Sequence, residues 1–200
     1  MIGGVSIPTS ARLMNAAEWA IVDRVFKAAN LPYKIRIWIT NGSGLGGAPF
    51  TIPTSLVTTV FGAVGTWFSP VAIGGNYLTS VVNLGYLMNV GTGAYPDMTV
   101  SPAYQSLLVH ETTHVWQGRN SIFALTYVIS SVVSQCAGIR GTSGLSGRSA
   151  AYAYAPGLAW GSYNAEQQAC IVEDWFAAGE PTGGPLYSRY IVGHIRLGRT

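Results

Sequence analysis

The sequence predicts an α+β fold, and three stretches carry that prediction. Tyr33–Thr40, YKIRIWIT, alternates: Tyr33, Ile35, Ile37 and Ile39 are interleaved with Lys34, Arg36, Trp38 and Thr40. A period of two belongs to a strand with one buried face. Ser101–Gly118, SPAYQSLLVHETTHVWQG, reads as a helix, with Ser101 as N-cap, Pro102 at the first helical position and Gly118 just past the end. Tyr163–Ala178 reads as another, capped by Asn164 with Gln167 completing a capping box and stopped by Gly179 and Pro181.

The 200 residues suit one domain, 1–200, and suffice for a sizeable core. Apolar residues make up 48% and charged residues 10%, where an average domain carries about a quarter charged. Such a chain is not disordered. Its net charge of +3 comes from bases scattered between Arg12 and Arg199 without a Lys/Arg run, which argues against a nucleic-acid partner. Arg189, Arg196 and Arg199, with His194, read as a solvated tail.

The opening MIGGVSIPTSAR lacks a basic region followed by a long apolar one, so no signal peptide is expected. The chain would then be cytoplasmic, exported by a leaderless route, or cut from a larger precursor. Residues 37–96 hold no charge, but glycines and prolines break them below spanning length. Ser121–Ile139 is also uncharged and is expected as a buried or interfacial helix, so membrane association is not favoured. Cys136 and Cys170 make no disulfide framework, and spacing leaves their pairing open.

In chain order, Ser10 is the expected cap of an N-terminal helix to about Ala29, with Leu13, Ala17, Ala20, Ile21 and Val25 at helical spacing. Asn30-Leu31-Pro32 stops it, and the Tyr33–Thr40 strand follows. Asn41–Pro49 is a glycine-rich turn without the lysine of a phosphate loop. Phe50-Thr51-Ile52 is a short strand, Ser55–Gly75 is strand or helix, and Tyr77–Asn83 is a candidate helix. Gly85–Val90 is a strand, and Gly91–Val100 a loop leading to the Ser101 cap. Beyond Gly118, Ser121–Gly138 is a long helix, Gly141–Arg148 a loop, and Ala150–Trp160 irregular or briefly helical.

The chemistry centres on His110-Glu111-Thr112-Thr113-His114, an H-E-x-x-H run. Histidines four residues apart lie on one helix face, one turn apart, so both imidazoles can meet one ion. Glu111 can reach a water on that ion as general base, the arrangement of a zinc hydrolase helix. Two of the three histidines in the chain lie in this run. A catalytic zinc takes three protein ligands and keeps one position open. Of eight carboxylates, Glu111, Glu166, Glu173 and Asp174 lie in the Ser101–Gly118 and Tyr163–Ala178 helices. Glu166, in a first turn, is the expected third ligand, and Ala169 would let its helix approach closely. Glu173, two turns on, is the runner-up. Cys170 could ligate as thiolate but reads better as a small buried residue. His194 is a substrate-side or surface residue.

LLVHETTHVWQ followed by YNAEQQACIVEDW resembles compact bacterial gluzincin-type domains, such as those of secretion-associated, effector and contractile-injection-system proteins. The resemblance covers Leu108–Trp175. It implies a zincin-like fold: a small sheet, an N-terminal helix, the H-E-x-x-H helix and a C-terminal glutamate helix. It further implies zinc on His110, His114 and Glu166, with Glu111 as base. It departs at Cys170, where related families carry an acid that orients a ligand histidine. Asp174, one turn on, and Glu173 are the candidates to stand in for it.

The function expected is a zinc metallopeptidase acting on a peptide or protein, with a toxin or effector domain and an immunity or secretion-system partner as its setting. Glu111 would move the proton, and Tyr152, Tyr154, Tyr163, Tyr187, Tyr190 or His194 would supply a second donor to the oxyanion. If Gly85–Val90 is an exposed edge, a peptide could add to it as a strand. The alternatives are an enzyme for a membrane-associated or cell-wall substrate, and a non-catalytic packing or carrier module, for which residues 37–96 offer apolar surface.

Overall fold

A computed structural model gives the fold and describes residues 8–44, 47–54, 85–121, 152–184 and 187–200. Its strands are β1 (Ala11–Leu13), β2 (Ile37–Thr40), β3 (Phe50–Pro53) and β4 (Tyr86–Asn89), in the order β1-β2-β4-β3. β1 and β3 run antiparallel to their neighbours, and β2 runs parallel to β4, so the sheet is mixed. The helices are α1 (Ala16–Phe26), a single turn α2 (Gly91–Ala94), α3 (Pro102–Asn120) and α4 (Ala165–Ala177). The architecture is α+β, as the periodicities predict.

The strand reading of Tyr33–Thr40 holds only for its second half. Lys34–Arg36 is a 3-10 turn, and Tyr33 and Ile35 are exposed. Alternation makes one face apolar, but a strand also needs partners. β1 and β4 pair with β2 from Ile37 onward, and none of the described residues pairs with 33–36. Gly85 sits where the chains converge: a Cβ there would lie 2.5 Å from the Arg36 carbonyl oxygen.

The N-terminal helix begins later than Ser10. Asn15 is its cap, accepting from the Glu18 N–H while the Glu18 carboxylate accepts from the Asn15 N–H at 2.8 Å. Residues before it are extended and form β1. Glu18 is fully buried and takes a two-pronged pair from Arg12, with Nη1–Oε2 2.7 Å and Nη2–Oε1 2.6 Å. It also accepts from Met98 N at 2.9 Å, and Arg12 Nε donates to the Tyr95 carbonyl. Arg12 is thus a structural cation and no part of a scattered surface charge. The pair ties β1 and α1 to the approach of α3. A buried carboxylate requires such complete pairing.

α3 is capped by Ser101, whose Oγ accepts from Tyr104 N, with Pro102 at its first position. It runs through Gly118 to Asn120. Gly118 is therefore no stop. A Cβ there would lie 2.7 Å from the Tyr86 ring, so the glycine lets α3 cross β4 closely. β4 lies between β2 and β3, which corrects the expectation of an exposed edge at Gly85–Val90; among the described residues the edge beside α3 is β3. The loop before α3 contains α2, entered at Gly91 with φ +78°.

α4 has the expected box, with Asn164 Oδ1 accepting from Gln167 N and Gln167 Oε1 from Asn164 N. Gly179 ends it at φ +84°. One core joins Val22, Val25 and Phe26 of α1, Ile37, Ile39 and Met88 of the sheet, Leu108 and Trp116 of α3, and Val172 of α4. Tyr190 and Ile195 close it, and Trp116 Nε1 donates to the Ile195 carbonyl. Cys170 is a buried free thiol. The readings made for Ser55–Gly75, Tyr77–Asn83 and Gly141–Arg148, for Ser121–Gly138 past its first residue, and for Cys136 lie outside the described residues. Within the described residues no helix is long and apolar enough to cross a membrane.

Candidate metal centre

α3 and α4 pack side by side and bring their polar stripes together. His110 and His114 lie on one face of α3, with ring centroids 5.1 Å apart at 77°. Glu166 faces them from the first turn of α4 and is 1% exposed. Its Oε2 is 3.3 Å from His110 Nε2 and 3.4 Å from His114 Nε2. These separations are long for charge-assisted hydrogen bonds, which run about 2.7–2.9 Å. They match the edge of a tetrahedron: donors about 2.0–2.1 Å from a common ion are about 3.3–3.4 Å apart. His110, His114 and Glu166 are therefore a group that can hold a metal ion.

The far side of each ring is fixed as well. His110 Nδ1 donates to Glu173 Oε2 at 2.9 Å. His114 Nδ1 donates to Gln117 Oε1 at 2.8 Å, and the direction of that bond follows from the amides behind it. Gln168 Nε2 donates to the Trp160 carbonyl at 3.1 Å, so Gln168 Oε1 must accept, and does so from Gln117 Nε2 at 3.0 Å. Gln117 Nε2 donates also to the Ala165 carbonyl. Gln117 Oε1 is then left as acceptor, so the neutral His114 ring carries its proton on Nδ1 and keeps the Nε2 lone pair for the centre. Both glutamines are buried, as this chain of amides requires.

Glu111 stands beside the cluster and outside the ligand group. Thr51 Oγ1, from β3, donates to its Oε2 at 2.7 Å. Burial raises the Glu111 pKa above the ordinary carboxylate value, and the charges of His114 and His110 and the Thr51 bond only partly offset it. Glu166 shows the opposite balance: burial would raise it, but His114 and His110 hold it far below the usual range. For His110, burial favours the neutral ring, but Cys170, Glu166 and Glu173 outweigh it and lift the pKa well above normal. For His114, burial is outweighed chiefly by Glu166, and the pKa is raised.

This direction has a measurable sign. Imidazoles whose pKa is raised keep their protons to higher pH and must lose them when an ion binds. Metal affinity should therefore keep rising with pH above the ordinary imidazole pKa of about 6.5, and loading should acidify a weakly buffered solution. Affinity that does not change with pH would contradict the raised pKa of His110 and His114.

The other anticipated residues fall as follows. Glu173, not Asp174, holds the outer nitrogen of His110; Asp174 is exposed and accepts from Tyr154 at 2.9 Å. Tyr163 donates to the Ala155 carbonyl and meets Tyr190 at 3.1 Å. Tyr190 donates to the Leu158 carbonyl, and Tyr187 accepts from Arg196. His194 stacks on Trp160 and bonds the Arg199 carbonyl. Of the proposed oxyanion donors, Tyr152 adjoins the site, its ring 6.4 Å from that of His110. Burial, with the nearby Glu166 charge, pushes its pKa up to about 12, so it stays a donor.

Sequence reasoning missed Thr51 and Gln117. Gln117 was legible in principle, since it follows His114 by one helical turn; Thr51 carried no such signal. In comparisons with known proteins, no family model, curated protein or solved structure matches this chain.

Proposed function

We propose that the chain is a zinc-dependent hydrolase that cleaves peptide bonds, with His110, His114 and Glu166 holding the ion and Glu111 as general base. The observation that carries the reading is the placement of Glu111. It is buried next to a complete donor group yet is no part of it, and one of its oxygens is anchored by Thr51. Two nitrogens and one carboxylate oxygen suit zinc, and three ligands leave a fourth position.

Bound zinc would supply an acidified water and polarise the scissile carbonyl. The residues of the chain do the rest. Thr51 holds Glu111 Oε2, which leaves Oε1 to take a proton and return it to the leaving amine. Burial shifts Glu111 towards the pH at which a base also serves as an acid. Tyr152 keeps its hydroxyl proton and can donate to a developing oxyanion. β3 brings Thr51 to the base and, among the described residues, forms the sheet edge on that side, where an extended peptide could pair with main-chain groups.

The zincin-like assignment belongs to this reading, since a metal helix, a small sheet and a following glutamate helix are its parts. The setting as an effector domain with a secretion or immunity partner rests on the sequence resemblance alone. Cleavage of a mixed peptide library by the zinc-loaded chain, compared with Glu111→Gln, tests the proposal. Tyr152→Phe should lower turnover by about a hundredfold or more, the scale of one lost oxyanion donor, and leave zinc content unchanged. Unchanged turnover would remove Tyr152 from the mechanism.

A further inference from the structure

On α4, Glu166, Cys170 and Glu173 stand at i, i+4 and i+7, a single stripe facing α3. His110 sits opposite the middle of that stripe. Its Nε2 looks to Glu166 and its Nδ1 to Glu173, with Cys170 also in contact. The ring is thus shared by two donor groups: His110, His114 and Glu166, and His110, Cys170 and Glu173. Within each, the ligand atoms lie within 4.8 Å of one another.

We propose that His110, Cys170 and Glu173 form a second metal site, selective for thiophilic divalent cations, that competes with the first for His110. A nitrogen, a thiolate sulfur and a carboxylate oxygen make a softer set than two nitrogens and an oxygen. Cys170 is 1% exposed, while the Glu173 side chain is 20% exposed, so the set is reached from the Glu173 side.

The competition follows from proton counting. A neutral imidazole has one bare nitrogen. With Nδ1 protonated and bonded to Glu173, Nε2 serves the first group. For Nδ1 to bind an ion, its proton leaves Nδ1 and Nε2 becomes the protonated nitrogen, donating to Glu166. The Cys170 thiol releases its proton to solvent as the metal–sulfur bond forms. Filling the second site therefore withdraws His110 from the first. The inference rests on ligand geometry, so its fate is separate from that of the hydrolase reading.

The test uses the intact, metal-free chain and Cd²⁺ alone, read by the ultraviolet charge-transfer absorption of a cadmium thiolate. The sequence has a second thiol, Cys136, so variants assign the band. Wild type and Cys136→Ser should both show it on the first equivalent. Cys170→Ser should lack it and bind Cd²⁺ at least about tenfold more weakly. Glu173→Gln, which leaves the thiol in place, should weaken the band, and Glu166→Ala should retain it. No band in wild type, or a band that survives Cys170→Ser, overturns the proposal. So does an undiminished band in Glu173→Gln, which also covers the case in which Cys170→Ser fails to fold.

Discussion

Glu111→Gln should fold, should bind zinc as tightly as wild type, and should lose at least about a hundredfold in peptide hydrolysis. Glutamine keeps the size of the side chain and can still accept from Thr51, so the packing between α3 and β3 has no reason to change. It cannot accept the proton that the reaction releases. The measurement is turnover on library peptides, with zinc content and unfolding midpoint taken on the same samples. Equal behaviour of the two proteins wherever wild type has a measurable effect would end the hydrolase reading. A packing or carrier role would then stand in its place.

The second large effect concerns the ion itself. His110 serves both donor groups, so His110→Ala should abolish stoichiometric metal of any kind. His114→Ala and Glu166→Ala should weaken zinc by more than about a hundredfold, beyond the usual loss when only an outer partner is removed. Any metal they keep should carry the thiolate signature of Cys170. Glu173→Ala removes an orienting partner of His110 and should cost about 10- to 100-fold. Metal analysis after purification without added metal, followed by titration, ranks the variants. Wild-type zinc affinity in both His110→Ala and Glu166→Ala would remove the site.

The helices and their caps were legible because their determinants are local: Ser101 with Pro102, and Asn164 with Gln167, act within one turn. The histidine pair and Glu166 were legible for the same reason, since helical spacing fixes which residues share a face. Glu173 could have been preferred over Asp174 as the orienting acid. At i+7 from Glu166 it returns to the same face, while i+8 turns away by most of a quadrant.

What failed was non-local. Tyr33–Arg36 alternates as well as Ile37–Thr40 does, but among the described residues only the latter finds strand partners, and they come from β1 and β4. Gly118 looks like a terminator in sequence and acts as a clearance for Tyr86. Arg12 looks like one more surface base until Tyr95 and Glu18, itself held by Met98, are brought to it. Thr51 belongs to a strand that reaches Glu111 only through the sheet. None of these depends on a pattern within one stretch of chain.

The amides behind His114 bear on the order of events as the protein is made. A ribosome delivers α3 before α4, and Glu166 follows His114 by 52 residues (166 − 114). At about 5–20 residues per second, the two histidines wait about 3–10 s for the helix that completes them. During that interval Gln117 lacks Ala165 and Gln168, and His114 is free to carry its proton on either nitrogen. Only when α4 docks do the carbonyls of Trp160 and Ala165 orient Gln117 and so turn the lone pair of His114 inward. A nascent chain thus carries its histidines in an indifferent state, and docking of a single helix supplies both the carboxylate of the donor group and the tautomer of His114 that faces it.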